Sequence, residues 1–442
     1  MVGRCLQQII IELMKFTLSK NLVNVIFIGF AISFYSCDIS ADGDFENTEE
    51  NPYTLVGTIT DDITLTADRV WTIQGRVSVN EGATLTIEAG TVIKGSAGTG
   101  ADASTLIIAR GAKIDAQGTA ESPIVMTAAN DNILAGGSYP SSGPSLDVNT
   151  RGLWGGLLIL GNAPCSLKGD VTELQIEGIP TNDTNGLYGG SNPADNSGTI
   201  SYLSIRHGGA EIGQGNEING LTLGGVGSGT TIDNVEVIAN VDDGIEFFGG
   251  TVNASNLLVW GQGDDGIDID QGYAGTISNA MVVLGGASDH AFEIDGPEGS
   301  SPGSFTIDGA TIIGTNNNCN PVGVNGEMAD YRKGATGETN NIYALNFTIS
   351  EGVKDVELDA EADADSYTAG TLTFSNWDIQ YPLADDGTVC EGETVENIFD
   401  DKSNTSSFEA DAATWAEIVN EKQADAGADE SVFVWTFYNQ NK

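Results

Sequence analysis

Two strand patterns recur in phase through the middle of this sequence, and that recurrence leaves few folds open. One column reads Thr231-Ile-Asp-Asn-Val-Glu-Val, Asn253-Ala-Ser-Asn-Leu-Leu-Val, Thr276-Ile-Ser-Asn-Ala-Met-Val and Thr306-Ile-Asp-Gly-Ala-Thr-Ile, with starts 22, 23 and 30 residues apart. The longer step holds an insert, GPEGSSPGS. Thr199-Ile-Ser-Tyr-Leu-Ser-Ile precedes the set and Thr373-Phe-Ser-Asn-Trp-Asp-Ile follows it. A second column, Asn219-Gly-Leu-Thr-Leu, Asp243-Gly-Ile-Glu-Phe, Asp265-Gly-Ile-Asp-Ile and His290-Ala-Phe-Glu-Ile, steps by 24, 22 and 25. A propeller blade takes about 40 residues, and a sandwich announces itself by hairpin turns. Two strands per short repeat predict instead an all-β fold, a right-handed single-stranded parallel β-helix whose coils stack equivalent residues into ladders. Asn234, Asn256, Asn279 and Asn376 share a turn position and read as an asparagine ladder.

The helix is expected over residues 56–400, with 401–442 as a small C-terminal helix and strand cap over an open solenoid end. Asp411 is placed to cap a helix running to Ala424, and SVFVWTFY reads as a last apolar strand. Cys319 and Cys390 lie in irregular stretches and are candidates to pair in an oxidising compartment, which leaves Cys165 odd.

The first 36 residues are expected to be a signal peptide rather than part of the fold. Met14 opens a second readable start in which Lys15 and Lys20 precede an apolar run over 22–34, shorter than the ~18 residues a spanning helix needs. The run ends at Ser36-Cys37, which resembles a bacterial lipobox and implies lipidation of Cys37 and attachment to a membrane through that lipid alone. An uncleaved anchor helix or a signal peptide ending at Ser36 are the alternatives. Residues 37–55 are acidic and turn-rich, as in a solvated tether.

Charge excludes other classes. Lys+Arg 17 against Asp+Glu 63 gives a net charge of -46, and loss of residues 1–36 leaves 14 basic against 62 acidic residues. Such a surface repels phosphate backbones, so no nucleic-acid partner is expected. Two histidines, and five cysteines without a CxxC, supply no zinc cluster, so a bound metal is expected to be a hard, oxygen-seeking ion such as Ca2+.

The segments GRVSVNEGATLTIEAGTVIKG, GTAESPIVMTA, RGLWGGLLILGNAP, DNSGTISYLSIRHGGAE, DDGIEFFGG and GDDGID resemble those of exported β-helical lipoproteins of Bacteroidetes-type bacteria. The chain is expected to be an outer-membrane or cell-surface lipoprotein, a binding or structural module whose partner is a polysaccharide or a surface protein; the resemblance itself implies export and a β-helix. It implies no catalytic residue.

Chemistry is expected where the second column turns acidic. Alternation points Ile245, Phe247, Ile267, Ile269, Phe292 and Ile294 inward and Glu246, Asp268 and Glu293 outward, with Asp270 and Asp295 in the next file. Positions 207–331 contain 18 acidic residues and no Lys or Arg. Splayed side chains in water, raised pKa values, basic groups from distant segments or a bound cation can relieve the repulsion. Glu246, Asp268, Asp270, Glu293 and Asp295 are the candidate calcium ligands; recurring Asp-Gly turns with no specific ion are the plain alternative. Arg206 and His207 are candidates to salt-bridge to this face. NVDDGIEF, GQGDDGIDI and SDHAFEI also resemble the acidic coils of polygalacturonase-type glycoside hydrolases. That resemblance would make Asp243, Asp264 and Asp265 the acid and base groups of an inverting hydrolase, with His290 beside them. The basic motif of that family falls at 312–315, where this chain has IIGT. A polysaccharide lyase needs a basic residue too, and Arg332 and Lys333 supply one only if their segment folds back.

Overall fold

The fold follows from stacking strands that are too short and too apolar on one side to stand alone. A computed structural model describes residues 53–136, 146–212, 218–316, 319, 326–347, 354–384, 388, 390, 392 and 394–442. Residues 1–52, which hold the expected signal peptide, Cys37 and nearly all of the expected tether, lie outside the described residues. Twenty-four strands join one sheet system in which every pairing among the described residues is parallel. This is a parallel β-helix. The first column continues as Gly198–Arg206, Thr231–Ile238, Asn253–Trp260, Thr276–Val283, Phe305–Ile313, Gly337–Leu345 and Leu372–Gln380, each paired in register with the next.

Each of these strands bends at one residue in the left-handed region, and that bend divides it between two faces of the coil. Asn234, Asn256, Asn279, Asn341 and Asn376 hold φ of 53° to 58° there, with Gly309 at 76°. Asparagine tolerates this conformation and its amide bridges coils. Asn279 Nδ2 donates to Asn256 Oδ1 (2.6 Å), Asn256 Nδ2 to Asp233 Oδ1 (2.7 Å) and Asn376 Nδ2 to Asn341 Oδ1 (2.8 Å). Asn341 belongs to the ladder, although the sequence column skips it. At Gly309 the ladder breaks and Asp308 accepts from Asn341 (2.6 Å) in its place.

Inward residues form a continuous apolar core from Leu55 to Ala416. At the C-terminal end, Phe374, Trp377, Phe399, Phe408 and Trp415 pack ring on ring. A helix over Phe408–Ala412 and a strand over Ala416–Ile418 carry part of this plug, and the strand adds one more rung on Leu372–Gln380. The helix expected from an Asp411 cap to Ala424 does not form: the helix present starts at Phe408 and ends at Ala412, one residue past Asp411, because Trp415 is used in the plug and Ala416–Ile418 find a parallel strand to pair with. Cys319 and Cys390 are joined by a disulfide.

The expected last strand does not form either. Residues 430–441 are a 3-10 turn, Glu430–Trp435, followed by a helix, Phe437–Asn441, with Asp429 and Thr436 as side-chain caps. They lie across strands whose edges are already paired, so this segment contributes side chains rather than a ladder. Residues 422–441 run back along the outside of the first column, against the order of the coils. Gln423 N–H donates to Asp378 (3.0 Å), Ala428 N–H to Thr311 Oγ1 (2.9 Å), Asp429 N–H to Asn279 Oδ1 (2.6 Å) and Tyr438 N–H to Glu236 (2.9 Å). Leu258 and Met281, outward and apolar, are buried beneath Phe433 and Tyr438. Arg206, fully buried, pairs with Glu236 across 3.9 Å under the ring of Phe437. It thus faces the tail rather than the acidic column.

Asn256→Ala forfeits both the tolerated left-handed bend and the amide bridges, a loss of about 2 kcal/mol, whereas Asn256→Gly keeps the bend and loses about 1 kcal/mol. Thermal midpoints should rank wild type above Gly above Ala. An alanine variant as stable as the glycine variant would contradict the role given to the bend.

Candidate functional site

The second column places its carboxylates by register. Ile245, Phe247, Ile267, Ile269, Phe292 and Ile294 are buried in the core, as alternation requires. On the outer side Glu246 aligns with Asp268, Asp268 with Glu293, Glu293 with Asp330, Asp330 with Glu357 and Glu357 with Asp400. Six consecutive coils thus carry an acid at one position. The last three escape the sequence column because the steps to them are irregular, although Glu327-Met-Ala-Asp-Tyr keeps the outline of His290-Ala-Phe-Glu-Ile.

A parallel file runs through the turns before these strands. Asn219 Oδ1 accepts the main-chain N–H of Asp243 (3.2 Å), Asp243 Oδ1 that of Asp265 (3.0 Å) and Asp265 Oδ1 that of His290 (2.7 Å). Each side chain ties its coil to the next. The glycine after each is demanded by space: a Cβ at Gly220, Gly244 or Gly266 would come within 2.3 to 2.4 Å of Val237, Val259 or Val282. The recurring Asp-Gly is therefore an inter-coil tie beside a point of close approach.

Along the C-terminal half of the outer file the chain supplies its own cations. Arg332, one rung beyond Asp295, bonds both of its oxygens (2.6 and 3.0 Å) and also Glu293, and Lys333 reaches Asp295 as well. Lys402 pairs with Glu357 and with Asp359 (3.0 Å). His290 Nδ1 lies 2.8 Å from Asp265 Oδ1. Burial opposes its charge, but the bond and charge of Asp265, then Asp289 and Glu327, prevail and lift the imidazole to about 9. Burial first, then the neighbouring acids, raise Glu293 to about 8; burial likewise raises Asp330 and Asp270 to about 6.

Among the described residues, no Lys or Arg pairs with the acids of the N-terminal half. Asp243, Glu246 and Asp268 are buried, and one oxygen from each lies within 4.8 Å of the others. Burial, then mutual repulsion, pushes all three well above the ordinary carboxyl range. Asn219 Nδ2 donates to Glu246 Oε2 and the Asp265 amide to Asp243, but Asp268 Oδ1 is buried with no hydrogen-bond partner. Oxygens bound about 2.4 Å from a calcium ion stand at most about 4.8 Å apart, so the three carboxylates fit around one hard cation.

Residues 161–197 form an insert that walls this flank. Ile176, Ile179 and Tyr188 pack with Leu158, Ile218 and Phe248 in a small apolar cluster outside the coil. Tyr188 Oη donates to Gln271 Oε1 (2.8 Å), three residues after Asp268.

Of the four expected catalytic residues, Asp243, Asp265 and His290 come together in the turn file, buried and engaged with each other's coils, while Asp264 is exposed beside them. Of the five expected metal ligands, Glu246 and Asp268 meet, joined by Asp243; Glu293 and Asp295 are held by Arg332 and Lys333, and Asp270 accepts the Gln271 N–H (2.6 Å). Arg332 is the member of the site that sequence spacing did not place in it, and Asn219, placed in the column by its spacing, was not read as a site residue. His207, at φ 61°, is a turn residue whose Nδ1 meets Thr150 O at 2.7 Å.

A family model described as a pectate-lyase like beta helix domain matches residues 57–435. The chain belongs to this family. No curated protein and no solved structure matched it. Membership accounts for the scaffold of this pectate-lyase-like β-helix; what its outer face does rests on the side chains just described.

The raised groups set the sign of the pH response. Free carboxyls titrate near 4, so between pH 4 and 8 the folded chain holds more protons than the unfolded one and stability falls as pH rises. His290 adds stability that is complete below 6.5 and lost as pH passes about 9. In chelator, the thermal midpoint should decline from pH 5 to pH 9; a rising midpoint would show that these groups are not held as described.

Proposed function

We propose that this pectate-lyase-like β-helix is an exported, lipid-anchored surface module that holds a hard divalent cation, Ca2+ being the best fit, at Asp243, Glu246 and Asp268, and acts by binding rather than by cutting. The observation that carries the reading is Asp268 Oδ1, a buried carboxylate oxygen without a donor, between two further buried carboxylates. A cation satisfies that oxygen and turns mutual repulsion into shared ligation. The partner that suits such an ion on a strongly acidic surface is a polysaccharide offering hydroxyl or carboxylate oxygens to it; a surface protein is the other outcome of a binding screen. Lipidation of Cys37 would hold the module to the membrane through the acidic tether, and Cys37→Ser should move the protein from the detergent phase to the aqueous phase on partitioning.

Asp243 and Asp265 weigh against hydrolysis, since oxygens given to main-chain amides in a buried file are poorly placed to serve a water and a leaving group. Cleavage is kept as a second reading by Arg332 and Lys333, which bring positive charge to the end of the acidic file. A screen for reducing ends and for unsaturated uronate products on purified polysaccharides separates the two readings, and any product abolished by Asp265→Asn would favour the enzyme.

Calcium at about one hundred times its dissociation constant should stabilise the chelated protein by about 2.7 kcal/mol, a midpoint rise of a few degrees. Asp268→Asn removes one repelling charge, so at pH 8 it should raise the midpoint in chelator and abolish the calcium response. A calcium response of wild-type size in this variant would remove Asp268 from the site.

A further inference from the structure

The insert over 161–197 also faces the first coils of the second column, and a cavity lies between them. Val79 pairs with Ile108 and Ile108 with Ile159, so the turns that follow these strand ends bring Glu81, Arg110 and Asn162 to one edge of the solenoid. The insert supplies Glu173, Ser191 and Asp195 to the same space, and together these six residues line an open cavity of about 470 Å3. Small-molecule sites run from about 300 to about 1,000 Å3. Leu157–Leu160 pairs with Leu221–Gly224, and that strand with Ile245–Phe248, so the cavity sits two rungs before Glu246 and the carboxylate trio takes no part in it. Gly111 and Gly190 keep the space clear, since a Cβ would come within 2.8 Å of Glu81 at the first and 1.8 Å of Asn162 at the second. Arg110 donates to Gly189 O (2.8 Å) and pairs with Glu173 (2.7 Å), so one guanidinium ties the coil to the insert. The side chains of Glu81, Asn162 and Ser191, by contrast, have no hydrogen-bond partner among the described residues.

We propose that this cavity is a sugar-binding site that takes a mono- or disaccharide unit of a neutral glycan and needs no metal ion. The lining offers donors and acceptors together: Arg110, Asn162 and Ser191 donate, and Glu81, Glu173 and Asp195 accept. A sugar hydroxyl does both at once, so it can use both sets, whereas an ammonium group uses only the acceptors and meets Arg110 as a like charge. Carboxylate, amide and guanidinium each set two polar atoms in one plane, the geometry that pairs with neighbouring hydroxyls. Three carboxylates against one guanidinium make the lining negative, and the whole chain carries -46. Uronates, sulfated sugars and phosphates are therefore repelled, and a neutral sugar is left. The tie between Arg110 and Glu173 sets both walls before a ligand arrives, which lowers the cost of ordering them on binding. The site is independent of the cation reading of the trio: it lies on other coils and would give the module a second hold on a glycan.

Titration calorimetry on the mature chain in chelator tests this, with cellobiose, mannobiose and lactose as neutral probes. Digalacturonate serves as the anionic control and the disaccharide of glucosamine as the cationic one. Wild type should bind at least one neutral probe and bind it more tightly than either control. Glu81→Ala and Asn162→Ala should each weaken that binding about tenfold, the loss of one or two hydrogen bonds, with thermal midpoints close to wild type. Asp268→Asn should bind the sugar as wild type does. No binding of any neutral probe, tighter binding of a charged control, or full affinity in both alanine variants would overturn the site. Sugar binding that appears only when calcium is added, and is lost in Asp268→Asn, would move the glycan to the trio and overturn this cavity while leaving the cation reading in place.

Discussion

Stacking like charges at the spacing of a β-helix is the constraint to which the outer face of this protein answers. Neighbouring coils lie about 4.8 Å apart, where two carboxylates repel by about 3.5 kcal/mol at an effective dielectric of 20. Six rungs of acid in one file is an arrangement the backbone imposes by register and the side chains must then survive. Three different solutions appear along it. In the turn file the oxygens are given to main-chain amides of the next coil. Toward the C-terminal end Arg332, Lys333, Lys402 and a charged His290 are interleaved with the acids. At Asp243, Glu246 and Asp268 neither device is complete, and protons or a cation must finish the task.

This gradient gives the face its polarity. One end is sealed by apolar packing of the insert, the other is a mixed salt network, and the unrelieved charge lies between them. The scaffold is common to a family, so function belongs to this local decoration rather than to the coil. The same register that makes the core so regular makes the outer side a linear array, in which one substitution changes one rung and its two neighbours.

What the sequence shows and hides divides along the same line. The inward residues of both columns, Asn234, Asn256 and Asn279 of the ladder and the acids of coils 243–295 were legible because each sits at a fixed step in a period of about two dozen residues. Asp330, Glu357 and Asp400 were hidden by irregular steps that break the spacing without breaking the register. Arg332 was legible only as a cation whose segment would have to fold back, because a residue one rung away in space is 37 positions away in the chain. The two lengthwise segments, 161–197 and 422–441, obey no period at all. Their apolar residues suggested a strand in the tail, but a strand needs an unpaired edge, and the solenoid offers none along its flank. The Asp-Gly motif was visible yet carried a different cause from turn propensity: its glycine is small because a valine of the neighbouring column fills the space.

The tail that runs back over the first column crosses from the coil of Asp378 to that of Arg206. A segment that binds six or seven successive rungs at once can settle only after all of them exist, and it buries the Arg206–Glu236 pair only on arrival. Assembly of this solenoid therefore has a built-in finishing step: coils can zip up one after another from any nucleus, but the flank is fastened last, and until then the outward apolar stripe of Leu258 and Met281 stays uncovered.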